Sequence, residues 1–150
     1  MLPIRKILFA TDFSDSARPA FECARALARD YRAALVVVHV AAPPRAFAAD
    51  GIAVPLPVEE PYALHARLVH LHPVEQGVEV EYHVLGGEAA EQILKAAHET
   101  RADVIVMGTH GKSALTRLLT GSVAESVMRR ATCPVLTLRG PLHAAPAGAA

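Results

Sequence analysis

Short apolar runs alternate with longer amphipathic segments along this chain of 150 residues. Apolar residues recur at helical spacing in four segments, which predict helices over 17–31, 62–76, 90–97 and 123–131. Five apolar runs are too short for helices and predict strands at 4–10, 35–40, 78–84, 104–107 and 135–138. The first helix has three candidate N-caps just before it, Ser14, Asp15 and Ser16.

The alternation of strands and helices predicts a single α/β domain over residues 1–140. Continuous apolar strands are typical of a parallel sheet that is covered by helices on both faces. The run 78–84 instead alternates with period two, so we expect it at a sheet edge. We therefore predict a Rossmann-like, five-stranded parallel sheet with helices on both faces and the predicted strands in the order 3-2-1-4-5.

Two segments depart from this pattern. Residues 41–61 contain five prolines and the pair Asp50-Gly51, and they are long for a connection in a compact domain. Connections of this length are lids, binding loops or disordered segments, and the pattern does not distinguish them. Residues 141–150 are rich in Ala, Pro and Gly and have little to bury, so we expect a flexible tail.

Charge and cysteine content narrow the functional class. Lys plus Arg and Asp plus Glu each total 15, so no net field favours nucleic acid or an anionic membrane as a partner. The apolar run at 7–10 is too short for a signal or membrane segment, and we expect a cytoplasmic protein. Cys23 and Cys133 form no metal or redox motif, and we expect both to be small buried residues.

A glycine series, G-x2-G-x9-G-S over residues 108–122, joins the fourth predicted strand to the last helix. This junction favours anions, because glycines let backbone N–H groups approach a phosphate and the helix N-terminus is positive. In a doubly wound sheet such a ligand binds where the strand order reverses, here between strands one and four. Walker A is excluded because Val106 stands where that motif needs glycine, and residues 10–14 lack the glycines of a dinucleotide fingerprint.

The charges near this series agree with an anionic ligand without requiring one. Residues 108–140 carry five basic side chains against one acidic side chain, and arginines on a solvated helix face explain this bias equally well. Ser122 and Glu125 also match a capping box, so Ser122 has a structural explanation beside any contact with a ligand.

The histidines have structural explanations too. His65, His70 and His72 lie close in sequence and could support a metal site, but His65 and His72 are two helical turns apart. Solvated positions on the predicted helix are therefore favoured for all three. His39 lies on a buried strand and is expected to be a hydrogen-bonded core residue.

Taken together, several features resemble the universal stress protein family over residues 3–139. They are Asp12 after the first strand, the order of the elements, and the glycine series followed by Val-Ala-Glu-Ser-Val-Met-Arg-Arg-Ala-Thr-Cys-Pro-Val-Leu. The glycine series is the mark of the ATP-binding branch of that family. The opening Ala-Thr-Asp-Phe-Ser also resembles members that do not bind ATP, but those members lack the glycines.

The resemblance implies a set of nucleotide-binding residues. Thr11 and Asp12 would face the nucleoside, and Val40 would meet adenine through its backbone. Ribose and phosphates would be wrapped by four motif residues, Gly108, Gly111, Gly121 and Ser122. The set is completed by the neighbouring residues Ala10, Met107 and Val123. Three residues of the loop between the glycines either reach the phosphates or point to solvent: His110, Lys112 and Arg117.

The function implied is that of an ATP-binding regulatory protein in stress response, with Mg²⁺ held mainly by phosphate oxygens and water. Bound ATP would order residues 109–120 and change a surface that an unknown protein partner recognises. The resemblance also implies a homodimer through the strand at 135–138. The alternatives are a slow ATPase or phosphotransferase that uses Lys112 or Arg117, and a scaffold that binds no nucleotide.

Overall fold

Twelve segments of regular structure are found in the computed structural model, which describes residues 3–44, 46–49, 51–109 and 122–139. The strands are β1 (Lys6–Thr11), β2 (Ala34–Ala41), β3 (Ala46–Ala49), β4 (Ile52–Pro55), β5 (Val80–Gly86), β6 (Val104–Gly108) and β7 (Val135–Leu138). The α-helices are α1 (Arg18–Tyr31), α2 (Pro61–Leu71), α3 (Ala89–Thr100) and α4 (Ser122–Arg130), and a 3₁₀ turn covers Asp15–Ala17. Residues 110–121 and 140–150 lie outside the described part, so the predicted tail at 141–150 is not described.

The main sheet contains five strands in the order β5-β2-β1-β6-β7, and all four neighbouring pairs are parallel. This is the predicted order 3-2-1-4-5, and the edge position predicted for residues 78–84 is confirmed in β5. The chain order reverses between β1 and β6, where Ala10 pairs with Met107. The carboxyl ends of these two central strands therefore lie side by side.

Helices cover both faces of the sheet, and each face has its own hydrophobic core. On the α1–α2 face, Ile7, Phe9, Leu35 and Val37 pack with residues such as Phe21 and Leu68. On the α3–α4 face, Leu8, Val36, Val38 and Ile105 pack with residues such as Ile93 and Val127. Consecutive residues of β1 and β2 are buried on opposite faces, which explains why these strands are continuously apolar.

The segment 41–61 contains a β-hairpin that the sequence pattern did not predict. Strands β3 and β4 pair antiparallel, with Ala49 opposite Ile52, and form a separate two-stranded sheet. Gly51 has a φ of 79° in the connection, a value that favours glycine. The pair Asp-Gly between short apolar runs is a known hairpin signal, but the surrounding prolines obscured it.

Helix α2 is shorter than predicted. The prediction of a helix to residue 76 was wrong, because the last helical residue is Leu71. His72 has a φ of −127° and a ψ of 58°, outside the helical region. It precedes Pro73, whose ring disfavours the helical conformation of the residue before it.

The predicted capping of α1 was also wrong. Ala17 occupies the N-cap position and makes no side-chain capping bond, and the three candidate residues form a turn before the helix. Pro19 lies within the first two helical positions, where it is tolerated. The Ser14 hydroxyl bonds Asp12 instead, and the Ser16 hydroxyl bonds Ser14, as described below.

Candidate functional site

The turn that leaves β1 is a hydrogen-bonded unit centred on Asp12. One carboxylate oxygen, Oδ1, accepts a bond from the Ser14 backbone N–H at 2.9 Å and another from the Ser14 hydroxyl. The Ser14 and Ser16 hydroxyl oxygens are 2.9 Å apart and share a further hydrogen bond. Thr11 Oγ1 accepts a bond from the Phe13 N–H at 3.1 Å. These bonds orient Thr11 and Asp12, two predicted site residues, at the carboxyl end of β1.

Phe13 occupies an unusual backbone conformation in this turn. Its φ is 63°, in the left-handed region, which costs a residue with a Cβ roughly 1–2 kcal/mol. Its ring contacts side chains from two other segments of the chain. The imidazole of His39 packs against it, with the two ring centroids 4.1 Å apart. The guanidinium carbon of Arg67 lies 4.4 Å from the centroid of the Phe13 ring. Sequence reasoning missed this stack, because nothing in Asp-Phe-Ser signals a positive φ.

His39 links β2 to the same turn. It is buried, and its Nδ1 lies 2.9 Å from the carbonyl oxygen of Thr11. Because a carbonyl oxygen only accepts hydrogen bonds, Nδ1 carries the proton and donates it to this bond. The prediction that His39 is a hydrogen-bonded core residue is confirmed.

Gly108, at the end of β6, lies directly against this turn. A Cβ at position 108 would be 3.0 Å from the carbonyl oxygen of Ser16 and 3.6 Å from Cα of Ala17. The neighbouring atoms are backbone, so they cannot move aside as a flexible side chain would. The need for glycine at position 108 therefore comes in part from packing between β6 and the β1 turn.

The residue after Gly108 is anchored to the sheet. Thr109 is buried, and its N–H and hydroxyl both donate to the carbonyl oxygen of Leu138, at 3.0 and 3.3 Å. The chain therefore leaves β6 from a fixed point next to β7. Of residues 109–120, which bound ATP is predicted to order, only this first residue is described.

Three apolar residues of the predicted site lie together on one face of the sheet, near the carboxyl ends of the strands. Ala10 and Met107 are buried neighbours on β1 and β6, and Val40 is half-buried near the end of β2. All three belong to the α3–α4 face of the sheet, on the opposite side from His39. The structure thus brings Ala10, Met107 and Val40 to one face at the carboxyl ends of the strands.

The rest of the glycine series is only partly described. Helix α4 begins at Ser122, which is exposed, and Val123 packs partly against the α3–α4 core. Glu125 forms an ion pair with Arg129. Both residues of the predicted capping box are described, but Ser122 is already helical and Glu125 pairs with Arg129, so the capping box is not confirmed. Five predicted site residues lie outside the described residues: His110, Gly111, Lys112, Arg117 and Gly121.

The histidines of α2 differ from each other. His65 and His70 are exposed, as predicted, but the prediction of a solvated side chain was wrong for His72, which is 5% exposed. Its ring packs on Phe9 and Phe21, with centroids 5.4 and 4.8 Å away, and its Nδ1 is 3.0 Å from the Leu68 carbonyl oxygen. Burial lowers the pKa of His72, although the bond to the Leu68 carbonyl opposes this shift. The helix ends just before His72, so helical spacing misplaced it.

Neither a metal cluster nor a reactive thiol emerges from the described part of the chain. Among those residues, no three His, Cys, Asp or Glu side chains come together as metal ligands. Cys23 and Cys133 are unpaired and half-buried, rather than fully buried as expected, and burial raises the pKa of both thiols. A raised pKa leaves less of the nucleophilic thiolate at neutral pH.

Comparison with known proteins settles the family. The model of the universal stress protein family matches residues 3–139. The chain belongs to this family. A universal stress protein of Thermus aquaticus is 39% identical over 145 residues, which cover 90% of this chain and 98% of that protein. No helix among the described residues is long and apolar enough to cross a membrane.

Solved universal stress proteins share the fold. One, in complex with cAMP, is 24% identical with a TM-score of 0.67, over 91% of this chain and 97% of that chain. Another, from Archaeoglobus fulgidus in complex with dAMP, is 24% identical with a TM-score of 0.62, over 92% of this chain and 100% of that chain. At this identity, these likenesses establish the arrangement of strands and helices and leave the ligand open.

Proposed function

We propose that this universal stress protein binds ATP at the carboxyl ends of β1 and β6 and acts by binding rather than by turnover. The observation that carries the proposal is the contact between the Asp12 turn and Gly108, which brings the two strand ends together where the strand order reverses. This reversal point is the ligand site of doubly wound sheets. The complexes of similar proteins with cAMP and dAMP support an adenine nucleotide as the ligand class.

The described residues fit such a ligand in type and position. Asp12 is held by its bonds to Ser14, and a carboxylate there accepts from a ribose hydroxyl. Val40, at the open end of β2, would meet adenine through its backbone. Ala10 and Met107 are buried on the same face as Val40 and would form the apolar floor under the nucleoside.

The phosphates would lie between Gly108 and the start of α4. Ser122 opens that helix, and the first N–H groups of a helix lack partners within it and favour an anion. We assign Gly111, Gly121 and Val123 to the same cradle, with His110, Lys112 and Arg117 as candidate phosphate contacts. Mg²⁺ would be bound by phosphate oxygens and water, in keeping with its reluctance to dehydrate.

The bound ATP would order residues 109–120 and so create or hide a surface for a protein partner. Thr109 is fixed to Leu138, and α4 is fixed to the core through Ala124 and Val127. The segment between these two anchors therefore joins two fixed points that both border the proposed phosphate site. Ordering it would change the surface of the protein without moving the sheet.

A direct test is to denature purified protein and assay the supernatant for nucleotide, followed by calorimetric titration of stripped protein with ATP and Mg²⁺. We expect bound or added ATP to raise the melting temperature more than AMP does, because a ligand confined to the native state stabilises it. Replacing Gly121 with Val should abolish ATP binding, whereas Gly86→Val should not, since a Cβ at Gly86 meets nothing within 4 Å. Unchanged affinity in the Gly121→Val protein contradicts the cradle.

The same samples separate the alternatives. Steady release of phosphate from ATP would favour the slow ATPase or phosphotransferase. Absence of nucleotide in the supernatant, with no thermal shift from any nucleotide, would favour the scaffold that binds none.

We also propose a homodimer through β7. In the described sheet β7 pairs with β6 alone, and its Leu136 is 39% exposed. An exposed strand edge with apolar side chains is a surface that proteins usually cover, and antiparallel pairing of two such edges forms a closed twofold contact. Leu136→Lys should give monomers in sedimentation, with Arg139→Ala as a control outside the strand. Wild-type protein that sediments as a monomer at micromolar concentration contradicts the proposal.

A further inference from the structure

The stack on Phe13 joins three separate segments of the chain. Phe13 belongs to the β1 turn, His39 to β2 and Arg67 to the middle of α2. Arg67 approaches the Phe13 ring to 4.4 Å, a distance at which a guanidinium is attracted to the face of an aromatic ring. Helix α2 therefore contacts the turn that carries Asp12.

The conformation of Phe13 sets the position of Asp12. With φ at 63°, the Phe13 N–H reaches Thr11 Oγ1 and the next N–H, from Ser14, reaches Asp12 Oδ1. Rotation of Phe13 to the ordinary negative φ would redirect the chain after it and break the bond from Ser14 to Asp12, because the Ser14 N–H follows the rotated bond. A side chain with a Cβ stays in the left-handed region only where its surroundings hold it.

We propose that Arg67 is a positioning residue for the nucleotide site, acting through the ring of Phe13 to hold Thr11 and Asp12 in the arrangement that binds the nucleoside. This inference rests on the proposed function. His39 forms the second contact of the stack, and its bond to the Thr11 carbonyl ties it to β1. Arg67 is the contact that comes from a peripheral helix, so the position of α2 is transmitted to Asp12.

Arg67 also forms an ion pair with Glu59, but this pair does not explain why Arg67 lies against the Phe13 ring. Glu59 lies 3.5 Å away, and both side chains are about half exposed, at 41% and 58%. Exposed ion pairs of this kind contribute little, because solvent screens them and two long side chains lose freedom. Removing Glu59 should therefore leave the ring contact intact, and it provides a matched control.

The test compares four proteins: wild type, Arg67→Met, Arg67→Lys and Glu59→Gln. Calorimetric titration with ATP and Mg²⁺ should show affinity weakened roughly three- to tenfold in Arg67→Met, in keeping with the strength of a cation–π contact. Arg67→Lys keeps a cation and should recover part of the loss. Glu59→Gln should stay within about twofold of wild type.

Two further measurements distinguish positioning from general stabilisation. The ring protons of His39 feel the ring current of Phe13, so their NMR signals should move in Arg67→Met and stay in place in Glu59→Gln. In a Phe13→Leu background, which removes the aromatic face, Arg67→Met should have little further effect on affinity. An equal loss in both backgrounds overturns the route through Phe13.

The failure of this inference differs from the failure of the proposed function. If wild type binds ATP and Arg67→Met binds it equally well, the positioning role is wrong and the nucleotide site stands. If wild type binds no nucleotide, the proposed function fails and the positioning role fails with it.

Discussion

The two faces of the sheet are built from different chemistry. The α1–α2 face contains the rings of Phe9, Phe13, Phe21 and two histidines, and each histidine bonds a backbone carbonyl oxygen. The α3–α4 face contains aliphatic side chains and alanines, and its residues near the strand ends include the apolar residues of the proposed site. Aromatic rings and imidazoles need particular orientations, whereas aliphatic packing is not directional.

This difference separates two tasks within one domain. In the proposed site the aliphatic face would contact the nucleoside, and its described core residues are nearly all apolar. The aromatic face holds the backbone of the Asp12 turn, because Phe13 and His39 connect that turn to α2 and β2. Changes of charge or pH should therefore alter stability mainly through the aromatic face. Changes in side-chain volume should alter stability through both faces.

The largest expected effect is the loss of Phe9, which contacts both Phe21 and His72 on the aromatic face. Phe9→Ala should destabilise the fold by about 3–5 kcal/mol in urea unfolding, and Ile105→Ala on the other face by about 2–5 kcal/mol. Only Phe9→Ala should also move the imidazole NMR signals of His72. If Phe9→Ala does not fold, Phe9→Leu serves for the NMR comparison. Equal movement of those signals in the Ile105 variant would contradict the separation of the faces.

A smaller effect is expected where the two halves of the site meet, at Gly108. Gly108→Ala places a Cβ 3.0 Å from the Ser16 carbonyl oxygen, and forcing these backbones apart should cost about 1–3 kcal/mol. It should also weaken ATP binding, because the Asp12 turn moves away from β6. Thermal unfolding and calorimetry measure the two effects.

The control for Gly108 is Gly86, which also ends a strand. A Cβ at position 86 meets nothing within 4 Å, so Gly86→Ala should be neutral or slightly stabilising, by less than about 1 kcal/mol. Equal stability of the two variants would show that the turn yields without cost and that Gly108 is not a packing requirement.

The sequence predicts the fold better than it predicts the site. Strands and helix faces follow from the pattern of apolar residues, because burial is nearly continuous along β1 and β2. Asp12 and Gly108 were predicted because a known motif contains them. The stack of Phe13, His39 and Arg67 was not, since it depends on one positive φ and on contacts between residues 26 and 54 positions away from Phe13 in sequence, which no local pattern records.

The misplaced features share a physical cause. Pro73 ends α2 early, so His72 turns inward although helical spacing places it with solvated residues. The Ser14 hydroxyl bonds the Asp12 carboxylate, and the Ser16 hydroxyl bonds Ser14, so both hydroxyls take part in the β1 turn. In each case a tertiary or turn contact outweighs a local preference.

The smallest expected effect is the contribution of His72 to the pH dependence of stability. Burial holds its pKa in the folded state below the ordinary value of 6.5. The unfolded chain therefore takes up the proton first as pH falls, so the stability that neutral His72 provides is full above about pH 6.5 and is lost progressively below it. His39 and the Tyr82 hydroxyl, which donates to the His72 carbonyl at 2.7 Å, face the same region.

We expect the free energy of unfolding of wild type, measured in urea between pH 7.5 and 5.5, to decrease more steeply than that of His72→Phe, which has no proton to gain. The matched control is His70→Gln, two residues earlier and exposed, which should follow wild type. Staying above pH 5.5 keeps most carboxylates ionised, so their protonation contributes little to the difference. If His72→Phe keeps the wild-type slope while His70→Gln loses it, the exposed α2 surface and not the aromatic face senses pH.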